Sequence, residues 1–218
     1  MCLSVSGRSL SLTCVSLRSL SLLHVFDSGH SLQYYSTAVS VPGYGLPEFS
    51  TVTYVDGIQI MNYNSDSGRD VPVAQWMERR GQDYWERNTQ ICKGVEAAFK
   101  QNVKTEMQHN NQTGGFHAYQ RMTGCELRDD GSIWVYDQHG YDGKDFLALD
   151  TERLVYIPLT DEAQVTAQRW NSPEERLGDY HKNYLENRCI EELRKFLQYG
   201  KEELDRRGGQ GWGRSNRG

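Results

Sequence analysis

Phe49–Val55 (FSTVTYV), Asp56-Gly57 and Ile58–Tyr63 (IQIMNY) set the fold class. The first run is rich in aromatic and β-branched residues, and the last alternates apolar with polar. Asp-Gly between two such runs is a strong hairpin signal. Upstream, Ser31–Ser40 (SLQYYSTAVS) has the same strand character, and Pro42-Gly43 marks the turn that follows. Downstream, Val71–Trp76 offers a short fourth strand. No proline occurs between Asp83 and Asn110, where Ile91, Val95, Phe99, Val103 and Met107 recur every four residues. This spacing predicts one long helix with a single apolar stripe.

The scheme then repeats. Phe116–Leu127, Ser132–Asp137, Lys144–Leu149 and Leu154–Leu159 read as strands, with Asp130-Gly131 and Asp142-Gly143 as turns. Helical sequence runs from Asp161 to about Arg206. Ser172-Pro173-Glu174-Glu175 interrupts and restarts it, with Ser172 as N-cap and Pro173 as first helical residue. Leu185, Cys189, Leu193 and Leu197 share a stripe. Four strands with one helix can bury only one sheet face. Two such halves side by side give an α+β fold, an eight-stranded antiparallel sheet crossed by two long helices that leave a groove suited to an extended ligand.

Composition narrows the function classes. The chain has 218 residues, 24 Lys and Arg against 29 Asp and Glu, a formal net charge of −5, and 11% aromatic residues. The aromatic content argues against disorder. The acidic balance argues against a sequence-independent nucleic-acid partner. No run of about 18 apolar residues is present, as a membrane span would need. Residues 1–28 are Ser/Leu-rich and make a poor signal peptide, because Arg8 and Arg18 break the apolar run. Residues 207–218 are Gly-rich and read as a disordered tail. Signatures of metalloproteases, serine hydrolases, nucleotide-binding loops and dinucleotide folds are absent. The six histidines show no metal-ligand spacing, so neither cofactor nor metal is expected. Asp129-Asp130 and Glu174-Glu175 read as a turn and a helix start.

The middle of the chain resembles the peptide-binding platform of major histocompatibility complex (MHC) class I heavy chains, most like those of bony fish. The matching strings are His30-Ser31-Leu32-Gln33-Tyr34, Tyr54-Val55-Asp56-Gly57, Tyr84-Trp85, Asn111-Gln112-Thr113-Gly114-Gly115, Met122-Thr123-Gly124-Cys125, Tyr141–Leu149, Arg169-Trp170 and Asn183–Glu186 with Cys189, in the family's order. The resemblance implies the MHC antigen-recognition fold, with residues 29–114 as an alpha-1-like half and 115–206 as an alpha-2-like half. Family members continue into an immunoglobulin-like domain and a membrane span. Here the resemblance stops near Arg206-Arg207, which suggests a fragment, an alternative transcript or an imperfect gene model.

By the same resemblance, Cys125 and Cys189 form a disulfide, which leaves Cys2, Cys14 and Cys92 as thiols, and Asn111 carries a glycan. Tyr34, Tyr84 and Tyr184, with Phe196 in place of a fourth tyrosine, would hold a peptide's ammonium end, since phenols both donate and accept. His109, Thr166, Arg169 and Trp170 would hold its carboxylate end. Ile91, Val95, Phe99 and Asn102 from the first helix would line side pockets, with Ser36, Tyr119, Arg121, Thr123, His139 and Phe146 from the floor. Arg121 and His139 suggest an acidic or polar pocket preference. The implied function is peptide presentation to T cells. The alternative is a non-classical molecule that holds a lipid, a small ligand or nothing, and acts as an immune-receptor ligand. Implied partners are a short peptide, β2-microglobulin and a T-cell or NK-type receptor. The implied location is the secretory pathway and the extracellular face of the plasma membrane.

Overall fold

Eight strands form one antiparallel sheet: β1 (Gly29–Val39), β2 (Phe49–Val55), β3 (Ile58–Asn64), β4 (Arg69–Pro72), β5 (Ala118–Arg128), β6 (Ile133–Tyr141), β7 (Lys144–Asp150) and β8 (Val155–Pro158). Their spatial order is β4-β3-β2-β1-β5-β6-β7-β8. This computed structural model describes residues 29–43 and 45–208. The expected extension (1–28) and residues 209–218 of the expected tail lie outside the described residues.

Each half is a meander, and the halves meet at the centre, where all eleven residues of β1 pair with β5, from Gly29↔Arg128 to Val39↔Ala118. Aspartates at left-handed φ, Asp56 (48°) and Asp142 (49°), followed by Gly57 and Gly143, close two of the hairpins as their Asp-Gly dipeptides predict.

Helices cover one face: α1 (Gln82–His109), α2 (Gln164–Trp170), α3 (Leu177–Tyr184) and α4 (Ile190–Gly208), with a π turn over Leu185–Cys189 between the last two. The expected restart of helix at Ser172-Pro173 is not taken. Ser172 Oγ does accept the Glu175 N–H at 3.3 Å, but residues 171–174 form turns and α3 starts only after Arg176, at φ 43°. Asn171 explains the delay. Its side chain accepts from Tyr156 N at 2.8 Å and donates to Tyr156 O at 2.9 Å, tying this corner to edge strand β8. Gly178 then lets α3 cross that edge, since a Cβ there would lie 2.2 Å from Leu154 O.

The edge strand expected at Val71–Trp76 lies earlier, at Arg69–Pro72. A 3-10 turn over Gln75–Arg79 instead buries Trp76 and Met77. β6 runs four residues further than expected, to Tyr141, held between β5 and β7.

Two apolar clusters lie between helices and sheet. One surrounds Leu32, Ile60, Trp76, Leu193 and Phe196. It contains the Cys125–Cys189 disulfide, which joins β5 to the π turn as expected, with Cα atoms 6.1 Å apart. The other gathers Phe49, Tyr63, Phe99, Tyr119, Phe146 and Trp170. Among the described residues, helices cover only one side of the sheet. On the opposite side Tyr35 and Tyr54 meet edge to face at 5.6 Å, and Trp134 is 44% exposed. Gly124 is required there: a Cβ would sit 2.7 Å from Tyr136 Oη and 2.6 Å from Leu32 O.

Candidate functional site: the groove between the helices

The floor of the groove is built by the strands' two-residue period. On β5, Tyr119, Arg121, Thr123 and Cys125 face the helices, and on β6 Val135, Asp137, His139 and Tyr141 do the same. Register places Arg121 opposite His139 and Thr123 opposite Asp137. Arg121 therefore reaches Asp137 diagonally and binds it with Nε and Nη2, both at 2.6 Å. Tyr156 Oη donates to the same carboxylate at 2.6 Å and meets His181 Nδ1 at 2.5 Å. His139 stands at 3.2 Å from Asp137, and its Nδ1 meets Tyr119 Oη at 2.9 Å. Burial pushes the Asp137 carboxyl up, but Arg121 and then His139 more than offset this and hold it well below the usual range. Burial also lowers His139, and takes His181 down to about 4, so both imidazoles are neutral at pH 7. The acidic preference expected from Arg121 is not supported by this arrangement, because its charge is matched within the floor.

At one end three tyrosines converge from three elements: Tyr34 from β1, Tyr84 from α1 and Tyr184 from α3. The Tyr34 and Tyr184 hydroxyls act on each other, and burial raises the pKa of both, although Tyr184 as a whole is 43% exposed. Glu192, whose carboxylate is bonded to Lys195 at 3.0 Å, adds a smaller upward push on all three. Phe196 is buried with its ring 6.2 Å from Trp76. Arg80 lies over Tyr84 at 4.2 Å and Tyr199 at 4.3 Å and closes this end.

At the other end, Thr166 on α2 and His109 on α1 approach each other, with Oγ1 and Nδ1 3.5 Å apart. The carboxylate between them is the protein's own. Thr166 donates to Glu106 Oε1 at 2.7 Å. Arg169 is exposed, 3.4 Å from Glu175. Trp170 is wedged between His139 and Tyr156, at centroid distances of 5.0 and 4.8 Å.

Of the expected pocket residues, Phe99 is buried against Phe49 and Tyr119. Val95, Asn102 and the thiol of Cys92 are half-buried. Burial, then Asp70, pushes the Cys92 thiol up to about 12. Ile91 is 58% exposed. A four-residue repeat gains about 40° per step on a 3.6-residue helix, so the stripe winds, and Ile91 leaves the face that buries Phe99 and Val103. Ser36 donates to Thr51, and Thr123 to Tyr136 O. Phe146 is buried in the second cluster.

The sequence reading missed Asp137, Glu106, Tyr156, His181, Glu192 and Arg80. Two of these carried a signal. Asp137 lies two residues before His139 on one strand, and Glu106 lies three residues from both Val103 and His109 on one helix face.

Residues 28–204 match the family model for class I histocompatibility antigen, domains alpha 1 and 2. The chain belongs to the MHC class I family. It is 44% identical over 178 residues to the cattle (Bos taurus) major histocompatibility complex class I-related protein 1, covering 81% of this chain and 52% of that one. It is 42% identical over 186 residues to the mouse (Mus musculus) H-2 class I histocompatibility antigen, K-K alpha chain, covering 81% and 48%. It is also 42% identical over 179 residues to the chicken (Gallus gallus) class I histocompatibility antigen, F10 alpha chain, covering 82% and 51%. The chain thus spans about half the length of these relatives, and the expected bony-fish type has no support among them. Class I and class I-related proteins present antigens or other ligands and are not enzymes. Among the described residues, no helix is long and apolar enough to cross a membrane.

Proposed function

We propose that this class I platform binds an extended peptide along its groove and displays it to a T-cell or NK-type receptor. The observation that carries the reading is the convergence of Tyr34, Tyr84 and Tyr184 at one end of the groove. Phenols that both donate and accept form a receptor for an ammonium group. Fixing a constant end lets side chains of many sequences lie over the floor between the helices. Phe196 keeps the fourth ring and gives up its hydroxyl.

β2-microglobulin is the partner proposed for the uncovered sheet face, where Tyr35, Tyr54, Trp134 and Tyr136 supply aromatic surface. Asn111, exposed at the end of α1, is the proposed glycan site, and the secretory pathway and cell surface are the proposed locations.

One observation favours the non-classical reading: Thr166 is turned onto Glu106 rather than left open to a ligand carboxylate. Refolding the chain with a random nonapeptide library, followed by elution and mass spectrometry, separates the two. Recovery of bound peptides supports presentation, and recovery of none sinks it.

A further inference from the structure

The groove end at His109 holds a buried carboxylate with one oxygen that no hydrogen bond reaches. Glu106 is 1% exposed. Its Oε1 accepts from Thr166 across the groove, while Oε2 is buried and receives no hydrogen bond from the protein. His109 Nδ1 stands 3.5 Å from that oxygen, within reach of an ion pair when the imidazole is protonated but outside hydrogen-bond geometry. Arg169 acts on Glu106 only at longer range, with its Nε 3.4 Å from Glu175. Aromatic rings surround the site: Tyr119 and Tyr141 both feel the charge of Glu106, and Phe146 packs on each of them.

A buried carboxylate with an unmet oxygen is costly until a donor or cation reaches it. Burial shifts the Glu106 carboxyl upward, and Thr166 and His109 offset only part of that shift. Aromatic walls accept the methylenes of a long basic side chain, and their faces attract its charge.

We infer that Glu106 makes this end of the groove select a ligand whose last side chain is cationic, an ammonium or a guanidinium, with Glu106 as its counter-ion. The inference rests on the peptide reading above and names the residue that sets its specificity. The last residue's side chain sets its charge against Glu106 Oε2, while its carboxylate stays at helix level near Arg169. An apolar last residue would bury the open oxygen without a partner, and an acidic one would set two anions together.

The test uses the full chain refolded with three nonapeptides identical except at the last position: lysine, ε-acetyl-lysine and leucine. Affinities are read by competition against a fluorescent peptide. The expected result is that lysine binds about tenfold or more tighter than the other two, as a charge-assisted bond in a dry site should give. Glu106→Gln keeps the volume and an acceptor for Thr166, and should bring the three affinities within about twofold of one another. Equal binding of all three by the unchanged chain overturns the role of Glu106, as does a lysine preference that survives in Glu106→Gln. If the variant fails to fold, the ε-acetyl-lysine peptide decides the question on the unchanged chain, because it keeps the lysine stem and removes only the charge. Binding of none of the three by folded protein instead overturns the peptide reading itself.

Discussion

Two buried groups set opposing pH dependences on stability, and substituting one should unmask the other. His181 has its pKa lowered to about 4, by burial first and then by Arg121. The unfolded chain takes up this proton below about pH 6.5 and the folded chain only near 4, so His181 withdraws stability as pH falls between them. Asp70 is 6% exposed, and burial raises it to about 6. Here the folded chain takes up the proton first, so Asp70 adds stability as pH falls from about 6 towards its ordinary range. Each shift spans about two pH units at about 1.4 kcal/mol per unit, so between pH 7 and 4.5 each contributes about 2 kcal/mol, with opposite signs. His139 reinforces the first trend and Glu106 the second. The unchanged protein should therefore have a nearly flat profile. His181→Phe, which keeps a ring, should gain about 2 kcal/mol relative to it on going from pH 7 to pH 4.5. Asp70→Asn should lose about as much. The assay is urea unfolding followed by tryptophan fluorescence at the two pH values, in one ligand state. A pH dependence of His181→Phe that parallels the unchanged chain would refute the reasoning.

Further outcomes follow from single features. Cys125→Ser opens a loop of 64 residues and should cost about 4 kcal/mol in the chain-entropy account, seen as a lower melting temperature than that of the oxidised parent. Arg121→Met leaves Asp137 buried without its main counter-charge and should cost about 3 kcal/mol by urea unfolding at pH 7; no loss would mean that Tyr156 and the histidines suffice. Gly124→Ala must displace Leu32 O or Tyr136 and should cost about 1–3 kcal/mol, measured the same way. Asn111 sits at φ 54° and closes α1 through the Gln112 N to Met107 O bond of 2.8 Å. Thr113→Ala should therefore remove the glycan, read as a gel shift from secreting cells, and leave the melting temperature unchanged. Asn111→Val should remove the glycan and also cost about 1–2 kcal/mol in strain.

The strands were legible because turn dipeptides and alternation agree: β2 lies at Phe49–Val55, as its sequence indicates. Misjudged ends occur where tertiary contacts decide. Residues 138–141 look weak as a strand, yet ladders on both sides hold them. Ser172-Pro173 is a good local helix start that yields to Asn171 gripping β8. The tyrosine end was legible through family resemblance. The opposite end was only partly so: the donors Thr166 and His109 were expected, while Glu106, to which Thr166 is bonded, passed as one more helix acid. Burial of a charge depends on partners 60 residues away, and no local pattern records them.

The alternation along β5 has a consequence beyond packing. Tyr119, Arg121 and Thr123 look up into the groove, while Gln120, Met122 and Gly124 look down from the same eleven-residue strand. One ribbon thus carries two independent texts, written in alternate letters. A change in the odd set alters the groove floor without touching the opposite face, and the even set can be held fixed while the odd set varies. Variation on one face and constancy on the other can therefore coexist within a single strand.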